Sequence, residues 1–85
     1  MYHKWLRSFN AVAKKGLFAA AGRSLNIGQS TVTTQVKALN ERFKVELFHR
    51  KGHQIWLSDT GRALYEITQD IFAQEEEAIE LLRGS

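Results

Sequence analysis

The chain has 85 residues, room for one small domain with a single core. It holds no cysteine and no proline, so disulfides and thiolate-held metals are excluded. No apolar run approaches the roughly 18 residues of a membrane span, and MYHKWLRSF lacks the apolar centre of a secretory signal, so no membrane partner and a cytoplasmic location are expected.

Charge is unevenly spread. Residues 1–62 carry eleven Lys or Arg against three acids, a net +8; residues 63–85 carry one Arg against six acids, a net −5. A basic body with an acidic tail suits a polyanionic partner for the body alone.

Trp5, Leu6, Phe9, Val12 and Ala13 recur at helical spacing over 3–15, and Gly16 is a natural stop. FAAAGRSL, 18–25, reads as a second helix. Its Gly22 costs about 1 kcal/mol against alanine, which another helix lying close would explain. Asn26 and Gly28 break the chain in a short turn.

The stretch NIGQSTVTTQVKALNERF, residues 26–43, holds the third helix. At 100° per residue, Val36, Leu39 and Phe43 fall within about 40° of Val32. Ser30, Thr33, Thr34, Lys37 and Glu41 fall on the opposite side, with Gln29 at the N-terminal end. β-Branched residues crowd 31–36, so tertiary packing must hold this helix. Residues 47–50 and 54–57 then read as two short strands around a Lys51-Gly52 turn. Leu47, Ile55 and Leu57 face inward in this reading, and Arg50, Lys51, His53 and Gln54 face water.

Ser58 caps a long helix over 59–82, about 36 Å at 1.5 Å per residue. Leu64, Ile67, Ile71, Ala78 and Leu81 follow a heptad alternation that Gln74 completes. So long a helix cannot bury itself on so small a body and calls for a partner helix.

The expected fold is mainly α: a winged helix-turn-helix, with a three-helix core and a two-stranded β-hairpin wing, followed by a long linker or dimerisation helix. The division is 1–58 for the winged domain and 59–83 for the linker helix. Short hydroxyl and amide side chains on a helix after a tight turn fit the donors and acceptors of the DNA major groove. Gln29, Ser30, Thr33 and Thr34 are the expected base contacts. Thr31, Lys37, Arg50, Lys51 and His53 are the expected phosphate and wing contacts. Leu64, Ile67, Ile71, Ala78 and Leu81 are the expected dimer seam.

The pieces LRSFNAVAKKGLF, AGRSLNIGQSTVTTQVKAL and LFHRKGHQIWLSDTG, in that order over residues 6–61, resemble the N-terminal DNA-binding domain of LysR-type transcriptional regulators. The resemblance implies a ligand-responsive transcription factor, Gln29 as a base reader and an antiparallel linker dimer. It also implies interrupted inverted repeats as DNA sites, with higher oligomers open to the full-length protein. The family's effector domain lies outside these residues, so the chain is expected to be a piece of a longer protein with a foreign Gly84-Ser85 end. Departures are Leu17 for serine, Gly22 for alanine, Gly28 for serine, Thr34 for arginine, Asn40 for an acid and Lys44 for glycine. Thr33 keeps the hydroxyl of the usual serine.

The rival reading is a winged-helix protein-interaction module that docks a partner through its long C-terminal helix. Excess base in 1–62 favours DNA. Catalysis is not expected, since no nucleophile–base set or carboxylate pair emerges. His49 and His53 lie four apart but straddle the hairpin with no third ligand, so neither a metal nor any other cofactor is expected.

Overall fold

The computed structural model describes residues 2–84. The element order is α1 (His3–Lys15), α2 (Phe18–Leu25), α3 (Gln29–Phe43), β1 (Phe48–Lys51), β2 (Gln54–Leu57) and α4 (Asp59–Leu82). This is a winged helix-turn-helix with a long fourth helix.

Local chemistry sets the helix ends. Gly16 closes α1 in the left-handed region at φ 77°, and its N–H donates to the Val12 carbonyl. Asn26 closes α2 in the same way at φ 60°. Lys44 closes α3 at φ 55°, a conformation that costs a side-chain-bearing residue about 1–2 kcal/mol. At the head of α4 the Ser58 hydroxyl accepts the Gly61 N–H at 2.9 Å and donates to the Glu46 carbonyl at 2.6 Å.

Phe9 and Val12 from α1, Ala21 from α2 and Val32 from α3 are fully buried, with Val36, Leu39 and Leu47 nearly so. Phe48 of the wing extends this core, its ring 5.4 Å from Phe9 and 6.1 Å from Phe18. The apolar stripe of α3 surfaces at its end. Phe43 is 52% exposed and meets the Tyr2 ring edge-on at 5.2 Å. Two buried polar ties lock the helices: the Ser8 hydroxyl to the Gln35 amide oxygen, and the Thr68 hydroxyl to Asn10 Oδ1 at 2.6 Å.

Gly22 is tight, but against backbone and not a helix flank. A Cβ there would stand 2.9 Å from the Ile27 carbonyl oxygen and 3.3 Å from the Gln29 nitrogen, so this glycine seats the turn and the first residue of α3.

The hairpin pairs Phe48 with Leu57, His49 with Trp56, Arg50 with Ile55 and Lys51 with Gln54. The first strand therefore starts and ends one residue later than expected, and Gly52-His53 forms the turn. Gly52, at φ 61°, takes the first central position, as in type II′ hairpins. Leu47 precedes the strand and is buried, its carbonyl accepting the Ser58 N–H at 3.0 Å. Because side chains alternate, Arg50 shares the inner face with Phe48, Ile55 and Leu57. It is exposed, but its guanidinium lies 5.0 Å from the Phe18 ring centroid and does not project outward with Lys51.

The first half of α4 packs on the body. Gly61 and Thr68 are buried, and Leu64, Tyr65 and Phe72 are half-buried. The last tie is Glu75, whose carboxylate meets Arg7 at 2.9 Å and His3 at 3.2 Å. Leu64 therefore belongs partly to the core, whereas the other expected seam positions, Ile67, Ile71, Ala78 and Leu81, are exposed.

Candidate nucleic-acid interface

α3 presents its polar side to solvent because Val32, Val36 and Leu39 hold the other side in the core. Gln29, Ser30, Thr31, Thr34 and Lys37 are exposed. Thr33 is half-buried, and its hydroxyl donates to the Gln29 carbonyl at 3.0 Å. Its methyl and oxygen lone pairs stay available, but its proton is engaged within the helix.

The helix begins at Gly28, which is extended and supplies no side-chain cap, and its first turn holds no acid. The leading N–H groups have no intrahelical acceptors, so they form a positive end beside Gln29 and Ser30. A phosphate oxygen there would satisfy them.

An open groove runs between α3 and the wing, with a volume near 490 Å³. Thr33, Lys37 and Asn40 line it from α3, His49 and Arg50 from β1, and Phe18 from α2. Three of the nine predicted DNA residues thus meet at one groove: Thr33, Lys37 and Arg50. Lys51 and His53 sit apart, exposed at the hairpin tip. Asn40 and His49 join Thr33, Lys37 and Arg50 as groove residues beyond the sequence expectation. Asn40 Oδ1 is buried without a hydrogen-bond partner, a state that typically costs about 1–3 kcal/mol. The outer face of the wing stacks His49 against Trp56, ring centroids 5.9 Å apart, and Trp56 stands 46% exposed. The loss of an acid at Asn40 was visible beforehand; the alternation that aims His49 was not, because it depends on the strand register.

The model of the bacterial regulatory helix-turn-helix protein, lysR family, matches residues 3–62. The chain belongs to the LysR family. Among its relatives, the HTH-type transcriptional regulator CitR of Bacillus subtilis is 43% identical over 63 residues, covering 74% of this chain and 22% of that protein. The HTH-type transcriptional regulator BudR of Klebsiella aerogenes is 36% identical over 81 residues, covering 95% of this chain and 57% of that protein. The chain thus spans less than three fifths of either relative. The solved CbnR_DBD–DNA complex superposes with TM-score 0.76 at 31% identity, covering 95% of this chain and 93% of that one. The BenM_DBD/catB site 1 DNA complex superposes with TM-score 0.81 at 21% identity, covering 94% and 89%; this second likeness speaks to the fold alone. Within the LysR family frame, α2 and α3 are the helix-turn-helix and β1–β2 the wing. No helix among the described residues is long and apolar enough to cross a membrane.

Proposed function

We propose that this LysR-family chain binds double-stranded DNA sequence-specifically, as the DNA-reading end of a cytoplasmic transcriptional regulator that acts by binding and not by catalysis. One observation carries the reading: α3 exposes an unbroken polar side with an uncapped, acid-free N-terminus, flanked by the basic wing. A major groove admits such a helix and offers base edges to its amide and hydroxyl groups. Gln29, Ser30, Thr33 and Thr34 read bases. Thr31, Lys37, Arg50, Lys51 and His53 hold the backbone. Thr34 supplies a methyl and a hydroxyl where relatives often carry arginine, which shifts this position from guanine toward thymine contact.

Gln29→Ala is expected to cost roughly 1–3 kcal/mol on the selected site and little on random DNA. A quantitative gel shift against both DNAs checks it, and equal losses on both would remove Gln29 from base reading. Lys51→Ala is expected to weaken all DNAs alike and to lower the salt slope of binding by about 1. An unchanged slope makes Lys51 a bystander.

The chain acts as a two-fold dimer through α4, presenting two recognition helices about 34 Å or a multiple apart to an interrupted inverted repeat. The exposed stripe Ile67, Ile71, Ala78 and Leu81, with Leu64 at its edge, supports this. Glu76 and Glu77 would oppose their own copies in a parallel pair, whereas Glu75 is held within the protomer by Arg7 and His3. An antiparallel pair separates Glu76 and Glu77 of one copy from the same residues of the other.

A further inference from the structure

The long helix does not end its apolar surface at the stripe. Leu82, the last residue of α4, is 80% exposed, and Leu81 beside it is 79% exposed. At the other end of the same helix a wholly apolar groove of about 310 Å³ opens between α1, the end of α3 and the start of α4. Tyr2, Leu6, Phe43, Val45, Thr60 and Leu64 form its walls. Among the described residues, none covers either feature.

Two observations join them. First, Leu64 lines the groove and stands at the edge of the exposed stripe, and the exposed Thr60 lines the groove one turn before it, so groove and stripe adjoin. Second, the heptad pattern fixes how two stripes align. Pairing a positions with d positions in an antiparallel pair sets Leu64 against Leu81, Ile67 against Ala78 and Ile71 against Gln74. All six stripe positions are then used, and no other register uses them all. At this register Leu82 stands level with Ala63, between Thr60 and Leu64. At 100° per residue it shares the azimuth of Leu64, turned from the seam toward the body side of the helix. That is the side on which the groove opens. Asp70 and Glu77 of the two copies meet across the middle of the seam, so apolar contact at the two ends, not charge, must hold the alignment.

We propose that the groove of each copy is filled by Leu82 of a second copy, with Leu81 packed on the stripe beside it. The inference rests on the dimer reading above. It gives the dimer two identical plugs that tie α4 of one copy to the end of the recognition helix, Phe43, of the other. Arg42 and Lys44 flank Phe43 in sequence and put positive charge beside the arriving acidic helix end.

The 85-residue chain, which has no cysteine of its own, permits a direct test. In Phe43→Cys/Leu82→Cys, mild oxidation should give a covalent dimer. Leu82→Cys alone should give none, because the two Leu82 positions lie about 28 Å apart along the antiparallel pair. In parallel, Leu82→Ser should raise the dimer dissociation constant by on the order of 100-fold, two buried leucines being lost per dimer. Because Leu82 is exposed in the protomer, the circular dichroism spectrum should not change. A parent dimer whose double-cysteine variant stays uncrosslinked, or whose Leu82→Ser dissociation constant is unchanged, overturns the plug and leaves the dimer standing. Crosslinking of Leu82→Cys alone overturns the antiparallel register. A parent that is monomeric at every concentration removes the dimer itself.

Discussion

Gly61→Ala destabilises this protein, although the helix-forming tendency of alanine alone favours the change by about 1 kcal/mol. The new Cβ would stand 2.1 Å from the Leu47 carbonyl oxygen and 3.0 Å from its carbon. Both are backbone atoms, so no rotamer change relieves the clash. The same carbonyl accepts the Ser58 N–H, so moving it also disturbs the cap of α4. The expected loss is about 3 kcal/mol, the upper end of overpacking costs. Urea denaturation checks both sign and size. A gain in stability would mean that α4 does not sit on Leu47 as described.

Ile67→Asp/Ile71→Asp abolishes the dimer. Both positions are exposed in the protomer, at 58% and 42%, so the fold tolerates the change. In the pair, four carboxylates would enter an apolar seam, and no basic residue on the stripe could receive them. Sedimentation equilibrium should show monomers where the parent is dimeric. DNA binding separates the effect from folding. Affinity for a single half-site should hold, whereas affinity for the two-half-site repeat should fall by roughly 10²–10⁴, the gain that linkage of two sites confers. A double variant that remains dimeric sinks the seam.

Most element boundaries were legible because punctuation and periodicity coincide. Gly16, Asn26, Gly28 and Ser58 each fall where an apolar period ends or begins, and each has a local reason to stop or start a helix. The sequence pattern places the first wing strand one residue early, at 47–50 against the observed Phe48–Lys51. Leu47 is apolar and inward, which fits a strand residue, but its burial comes from the seat of α4 and not from pairing. That single step concealed the inner position of Arg50 and the outer stack of His49 on Trp56. The two sides of α4 were separable only in part. Leu64, Ile67 and Ile71 were read as one stripe, yet Leu64 packs against the core. Thr68 and Glu75, polar residues that a hydrophobic pattern ignores, turned out to fasten the helix to α1. The solvent side of α3 was legible from its stripe alone. The unpartnered, buried Oδ1 of Asn40 is not legible in the sequence, because burial of a single atom depends on tertiary packing.

The Asn10–Thr68 hydrogen bond, buried between α1 and α4, makes the rotation of the long helix a quantised setting. Sliding α4 by one residue turns it by 100° and strips Asn10 Oδ1 of the Thr68 hydroxyl, at about 1–3 kcal/mol, while that hydroxyl falls back on the Tyr65 carbonyl of its own helix at 3.3 Å. No intermediate angle restores the bond. The bond therefore behaves as a key in a shaft. A torque on the end of α4 either reaches the helix-turn-helix without slip or must first break this contact together with the Glu75 ties to Arg7 and His3, so the phase between seam and recognition helix is held as a discrete value.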